Sequence, residues 1–198
     1  MTEIGRLLRS GIQGCVVGTW VEQVKVPKFG SMVKIIVEPE YSIMGLIHDI
    51  HVDDDGLVRQ ILSAQQVGMQ VVEDNRNNRN VPVEISVIFL GYQDPTGIYH
   101  LLPPRPPLSL DEIHLCDDEE VEQFTSQGFG YFRHILRDSE LPAGELLASH
   151  LKEVSHVKPA LWLNEASQEL IVQLRDDYPQ LMALMGALRD TKLSFTEE

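Results

Sequence analysis

The sequence predicts an α+β protein, with a small closed antiparallel β-barrel followed by a C-terminal α-helical region. Residues 11–61 consist of short β-branched runs separated by turn residues, which is the pattern of a small closed sheet. From residue 129 onwards, leucine and methionine recur at helical spacing instead. A chain of 198 residues is long enough for a barrel of roughly 100 residues and a smaller helical unit. We therefore expect two domains, residues 1–124 and 125–198.

The predicted barrel strands are short β-branched runs that end at turn residues, and those at 20–26 and 81–92 also alternate between two faces. They are expected at residues 12–17, 20–26, 32–37, 41–52, 81–92, 98–102 and 112–115. Residues 1–10 carry no motif and are expected to be a lead-in, and Gly18 is expected to close the first strand. Gly45 lies inside the fourth strand, where a glycine predicts a bulge that helps a small sheet to bend. The proline-rich residues 103–107 are interpreted as a stiff strap that leaves the barrel, with a polyproline ligand as the alternative.

Helical elements follow the barrel. They are predicted at residues 117–124, 142–154 and 164–176 and from residue 179 onwards, with a short apolar element at 130–137. The acidic run at 117–120 is interpreted as complementing the dipole of the first helix rather than as catalytic. Apolar stripes on the last two helices pack on each other, on the barrel or on another subunit, and packing within the chain is the commonest outcome. These stripes supply the predicted interaction surface, which comprises Leu170, Leu174, Leu181, Met185 and Leu188.

The net charge narrows the range of partners. Thirty acidic and sixteen basic residues give a formal net charge of −14. A field of that sign repels a phosphate backbone, which argues against direct binding of nucleic acid. A weak nucleic-acid-binding barrel face stays open as an alternative if Arg59, Arg76 and Arg79 gather into a local basic patch. The polar run at residues 73–80, which contains two of these arginines, is interpreted as a loop.

The composition predicts a cytoplasmic protein without a membrane segment. No apolar run reaches the roughly 18 residues of a membrane span, and the N-terminus lacks the apolar core and cleavage site of a signal peptide. Cys15 and Cys116 show neither CxxC nor cysteine/histidine spacing, so we interpret them as reduced structural thiols.

No pattern of reactive side chains predicts a catalytic, cofactor-binding or metal-binding residue. The seven histidines never form an HExxH pair, and His48 and His51 lie three apart on a predicted strand, on opposite faces. The acidic turn at residues 53–56 lacks the oxygen spacing of an EF-hand. We therefore expect no cofactor. A catalytic triad assembled from residues far apart in the chain would leave no local pattern in the sequence.

Several short segments resemble the HAS-barrel, the N-terminal β-barrel of HerA-type DNA-translocating ATPases and of rotary ATP synthase subunits. They are GCVVGTW at 14–20, KFGSMVKI at 28–35, MGLIHDI at 44–50, VPVEISVIFLGY at 81–92 and the exit LPPRPPLSLDEIHLCDDEEV at 102–121. The resemblance covers about residues 11–124. The chain departs from HerA proteins after that point, because it contains no G-x-x-x-x-G-K-[ST] sequence to hold the phosphates of a nucleotide. The resemblance therefore implies a barrel without its ATPase domain.

Two classes of function follow from these observations. In the preferred hypothesis the chain is a non-catalytic assembly or protein-binding module, and the resemblance implies a ring ATPase, a nuclease or a second copy of the chain as the partner. A homo-oligomer is one form of this hypothesis. In the alternative, the chain is a small enzyme with a pocket between barrel and helices that the sequence does not reveal. A flat apolar patch favours assembly, whereas convergent polar side chains in a closed pocket favour an enzyme.

Overall fold

A computed structural model describes residues 2–22, 27–52 and 80–193, and it contains one seven-stranded sheet. The strands are β1 (Thr2–Ser10), β2 (Gly14–Glu22), β3 (Met32–Glu38), β4 (Tyr41–Val52), β5 (Asn80–Asp94), β6 (Gly97–Tyr99) and β7 (Glu112–Leu115). The order is β2-β1-β7-β3-β4-β5-β6, and a further pairing of β2 with β5 closes six strands into a barrel. All pairings are antiparallel. The predicted α+β class with a closed antiparallel barrel is confirmed, and β6 is an extra strand outside the closed ring.

Most predicted strands are present, and Gly45 acts as predicted. The pairing of β4 with β5 shifts register between Met44 and Gly45, which is the bulge that the glycine indicated. The strand predicted at residues 98–102 is shorter than expected, because β6 ends at Tyr99. The predicted turn at 53–56 and the predicted loop at 73–80 lie outside the described residues, apart from Asn80, which begins β5.

The lead-in expected at residues 1–10 is wrong, because these residues form β1 between β2 and β7. Two register irregularities explain why the alternation was not visible. They place Ile4 and Leu7, three residues apart, in the barrel interior. Gly5 lies at one of them with φ at 153°, and a Cβ atom there would lie 2.7 Å from the Gly18 carbonyl oxygen. Only glycine fits this position without rearrangement.

The strand break expected at Gly18 is also wrong. β2 runs without interruption from Gly14 to Glu22, and Gly18 pairs with Glu84 in the middle of the ladder to β5. The side chain of Leu8 lies over Gly18, so that a Cβ atom there would come within 2.9 Å of it. The glycine therefore makes room for a neighbouring side chain and does not end the strand.

Five helices follow the barrel within the described residues. They are α1 (Asp118–Thr125), α2 (Phe132–Leu136), α3 (Ala143–Val154), α4 (Ala160–Gln173) and α5 (Tyr178–Asp190). The predicted capping role of the acidic run is confirmed at α1, where Asp117 and Glu120 each accept a hydrogen bond from the other's backbone N–H. α4 begins at Ala160 rather than at residue 164, directly after Pro159. Pro179 lies in the first turn of α5, as predicted.

Two groups of buried side chains form the core. One fills the barrel interior, and its largest members include Phe89, Leu7 and Ile113. The other lies between the outer wall of the barrel and the helices, and it combines strand residues such as Leu46 and Leu90 with helical ones. The helices therefore pack directly on the barrel wall. A domain boundary near residue 124 stays a prediction, and side chains from both sides of it share this second core.

Candidate functional site

The interaction surface predicted on the last two helices faces mainly inwards. Leu170, Leu174 and Leu188 are buried in the core between barrel and helices, and Leu181 packs against the same core. Met185 is 39% exposed. Three of the five residues therefore stabilise the chain itself in this conformation, which is the commonest outcome for such stripes.

Other apolar side chains lie on the solvent side of α4 and α5. They are Leu161, Ile171, Val172, Tyr178 and Met182, and each is more than 40% exposed. Sequence reasoning assigned Ile171 to the same apolar stripe as Leu170 and Leu174, and it did not single out the other four. Single exposed apolar side chains are common on folded proteins, so this face alone identifies no site.

Further exposed leucines lie on the barrel, at and beside the turn before β7. Leu108 is 70% exposed, Leu110 is 69% exposed and the neighbouring Leu8 of β1 is 49% exposed. We call these three residues the leucine patch.

Hydrogen bonds fix the turn that carries Leu108 and Leu110 against β1. The Leu110 N–H donates to the Leu7 carbonyl at 2.8 Å, and the Leu7 N–H donates to the Asp111 carbonyl at 3.1 Å. The Ser109 hydroxyl donates to the Leu8 carbonyl at 3.3 Å. The leucine patch is therefore a preorganised surface, and its backbone needs no ordering when a partner binds.

Leu110 has an unfavourable backbone conformation. Its φ of 74° lies in the left-handed region, which costs a residue with a Cβ atom about 1–2 kcal/mol. Lys192 shares the conformation with φ at 59°, but it follows the C-cap of α5, where helices commonly end in this way. Leu110 has no such helix end to explain it, and its side chain is mostly in solvent. The Asp111 N–H donates to the Leu108 carbonyl at 3.2 Å, so Leu110 is the third residue of a β-turn, a position where φ is often positive but where glycine or asparagine is the usual residue.

Charged residues surround the leucine patch. Arg6 pairs with Glu112 at 2.6 Å and with Glu3 at 3.5 Å, and its guanidinium also donates to the Leu110 carbonyl at 3.2 Å. Arg9 lies 3.9 Å from Glu84 on β5. An apolar centre with a charged rim is the usual anatomy of a protein interface. The sequence signal for it was the LSLDE run after the prolines, in which two leucines stand in an otherwise polar turn.

A hydrogen-bonded pair of titratable side chains lies in the helical core. The Tyr131 hydroxyl and His150 Nε2 are 3.0 Å apart, and both side chains are fully buried. Burial lowers the pKa of His150 to about 4 and raises the pKa of Tyr131 above its usual range. Both groups are therefore neutral at pH 7, and the pair stabilises the contact between α2 and α3.

The thiols are protonated at neutral pH. Burial raises the pKa of Cys15 to about 12, and burial is also the main cause of the raised pKa of Cys116. No group of three or more histidine, cysteine, aspartate or glutamate side chains is placed to hold a metal ion among the described residues. In the same part of the chain, no helix is long and apolar enough to cross a membrane. Arg59, Arg76 and Arg79, named as a possible basic patch, lie outside the described residues.

The comparisons with known proteins add no relative. The chain matches no known protein-family model, and no curated protein matches it. A closed six-stranded barrel does not by itself identify a HAS-barrel, so that resemblance stays a prediction.

Proposed function

We propose that this chain is a non-catalytic protein-binding module that docks through the leucine patch. The observation that carries the proposal is Leu110, which is held in a strained conformation with its side chain in solvent beside Leu8 and Leu108. A partner that covers the patch removes three adjacent leucines from water. Burying a fully exposed leucine side chain contributes about 1.5–3 kcal/mol, and these residues are only 49–70% exposed, so each contributes roughly half to two thirds of that, which together offsets the backbone strain.

Charge favours a partner that differs from this chain. A second copy carries the same net charge of −14, and two such molecules repel each other on approach. A protein with an apolar face and a basic surround is attracted by the same field. We therefore expect a heterotypic partner whose binding weakens as the salt concentration rises. The resemblance of the barrel to the HAS-barrel suggests a HerA-type ring ATPase or its nuclease as the first candidate of this kind.

The test compares the proteins captured from cell extract by the wild-type chain with those captured by two single variants. Leu108→Ser removes an apolar side chain from the leucine patch. Leu161→Ser removes an equally apolar side chain that is 61% exposed on α4 and serves as the control. A direct partner is retained by the wild type and by Leu161→Ser, is lost by Leu108→Ser and dissociates with added salt. The captured protein is then purified, and its affinity for the three chains is measured.

Two results would contradict the proposal. Equal affinity of Leu108→Ser and wild type would show that the leucine patch is not the docking surface. A wild-type dimer in solution that Leu108→Ser converts to a monomer would show that the occupant is a second copy, and the argument from charge would then be wrong. Light scattering over a concentration series detects such a dimer, and the affinity measurement tests the first result.

A further inference from the structure

A second site is indicated by a cavity of about 370 Å³ beside β5 and α2. Five of its lining residues have side chains that can donate hydrogen bonds, and they come from the β1–β2 turn, from α2 and from the turn after α2. They are Gln13, Arg133, His134, Arg137 and Ser139. The remaining lining includes the apolar residues Ile88 and Leu102, and Phe89, whose side chain belongs to the barrel interior. Donors on one side and apolar groups on the other are typical of a pocket for a small molecule with a polar head.

The local structure sets the positions of the donors. Arg133 and Arg137 are four residues apart, so they lie on the same side of the helical turn of α2. The Arg133 guanidinium donates to the His100 carbonyl, and His134 Nε2 lies 3.2 Å from the same oxygen. These contacts hold both side chains in place. A guanidinium carries five N–H groups, so Arg133 retains donors for a ligand.

Positive charge is in excess around the cavity. Among the described residues that line it, Asp138 alone is acidic, against the guanidinium groups of Arg133 and Arg137. The Asp138 carboxylate also accepts a hydrogen bond from the N–H of Glu140 at 3.0 Å, and this contact offsets part of its negative charge. The two guanidinium groups add to burial in lowering the pKa of His134. Neighbouring cations that lower each other's stability are stabilised when an anion binds between them, and this local effect must outweigh the repulsion from the net charge of −14.

We propose that this cavity binds the phosphate group of a small phosphorylated molecule. Guanidinium forks match the spacing of phosphate oxygens, and a phosphate group accepts hydrogen bonds from several directions at once. A carboxylate has two oxygens and fewer acceptor sites than these five side chains can use. One water molecule occupies about 30 Å³ in the liquid, so the cavity has room for many groups of that size and is larger than a phosphate group needs. The apolar side chains accommodate the organic part of the ligand.

A structural role for the arginines makes a different prediction. Basic side chains in the last turn of a helix interact favourably with its dipole, and Arg133 and Arg137 lie at the end of α2. That role predicts that removing Arg137 lowers stability whether or not phosphate is present. The binding role predicts a loss that appears only when phosphate is added. It also explains the convergence of Gln13 and Ser139 on the same cavity.

The experiment is isothermal titration calorimetry of the whole chain with inorganic phosphate and with glycerol 3-phosphate, against chloride at matched ionic strength. Arg137→Gln removes a cation from the cavity, and Arg189→Gln removes one from an 84% exposed position near the end of α5 as the control. We expect both probes to bind, with glycerol 3-phosphate binding at least as tightly as inorganic phosphate. Arg137→Gln should weaken both about tenfold or more, because hydrogen bonds to charged groups are lost. Arg189→Gln should stay within about twofold of wild type.

A spectroscopic readout separates binding in the cavity from a general charge effect. A dianion beside His134 favours the protonated ring, so the pKa of His134 measured by NMR should rise when phosphate is added. Arg137→Lys keeps the charge but loses the planar fork, and we expect an affinity between those of wild type and Arg137→Gln. Melting temperatures without phosphate confirm that the variants are folded.

The proposal is overturned if phosphate and glycerol 3-phosphate bind no better than chloride. It is also overturned if Arg137→Gln and Arg189→Gln lose affinity equally, because the effect would then follow net charge. Binding of inorganic phosphate without binding of glycerol 3-phosphate would contradict a phosphorylated organic molecule as the ligand.

Discussion

The backbone of Leu110 allows a direct test of the reasoning behind the leucine patch. At most exposed positions glycine is less stable than alanine, by about 0.5–1 kcal/mol, because it loses more conformational freedom on folding. At Leu110, where φ is 74°, alanine keeps a left-handed cost of about 1–2 kcal/mol that glycine does not have. We therefore expect Leu110→Gly to be more stable than Leu110→Ala by roughly 0.5–1 kcal/mol.

The comparison of two variants at one position makes the magnitude interpretable. Both substitutions remove nearly the same apolar side chain, so the loss of its contacts largely cancels between them. Leu108 provides the matched control, because it is equally exposed and has no positive φ. At that position alanine should be the more stable of the two variants by about 0.5–1 kcal/mol. The preference for glycine or alanine should therefore reverse between two positions in one turn.

Urea unfolding followed by circular dichroism measures these differences. For a chain of this length, 1 kcal/mol corresponds to a shift of about 2–4 °C in melting temperature, so thermal unfolding gives a second reading. A Leu110→Ala protein as stable as Leu110→Gly would refute the strain at Leu110 and with it the main argument for the leucine patch. If the strain is confirmed, Leu110→Gly is also the informative variant for binding, because it removes the apolar side chain without weakening the fold.

Two further predictions concern the core and the barrel seam. The pKa of His150 is about 4 in the folded chain and near 6.5 when unfolded, so the unfolded state takes up a proton first as the pH falls. Through this group, the free energy of unfolding should therefore drop by about 3 kcal/mol between pH 6.5 and pH 4. His150→Gln should lack this contribution to the pH dependence of stability. Urea unfolding at both pH values measures it. An unchanged dependence in the variant would place its origin in other buried groups, and burial also lowers the pKa of His48, His100 and His134. Gly14→Ala would place a Cβ atom 2.3 Å from the Val87 carbonyl oxygen where β2 closes on β5, so it should destabilise the chain by about 1–3 kcal/mol in the same assay. Gly11→Ala, whose Cβ atom would have its nearest neighbour at 3.9 Å, should change stability little, and equal effects of the two would contradict the tight seam.

The parts of the fold that the sequence predicted are those with regular periodicity. Val83, Ile85, Val87 and Phe89 alternate along the strand predicted at residues 81–92, and all four lie in the barrel interior on β5. The acidic run before α1 has the spacing of a capping box, which is a local interaction that the sequence contains completely. Such elements depend on neighbours in the chain, and reasoning from a single sequence is suited to them.

The parts that the sequence did not predict depend on distant partners. β1 has no alternation because its irregularities are accommodated by β2 and β7, and Gly18 reads as a break until Leu8 is seen to cover it. The candidate site is a further case. The leucine stripes of α4 and α5 were visible but turned inwards, whereas the leucine patch arises only when a turn docks on a strand roughly 100 residues earlier in the chain.

The pairing of β1 with β7 has a consequence for the time at which the protein becomes competent to bind. Arg6 contacts Glu112 across a separation of 106 residues, and Ser109 contacts Leu8 across 101. During synthesis at about 5–20 residues per second, Leu8 waits roughly 5–20 seconds for the turn that completes the patch. If the leucine patch is the docking surface, as proposed, the growing chain does not carry it until then, whatever part of the barrel has already formed. A partner that docks there would meet only chains in which β1 has paired with β7, and an incomplete barrel would not occupy its site.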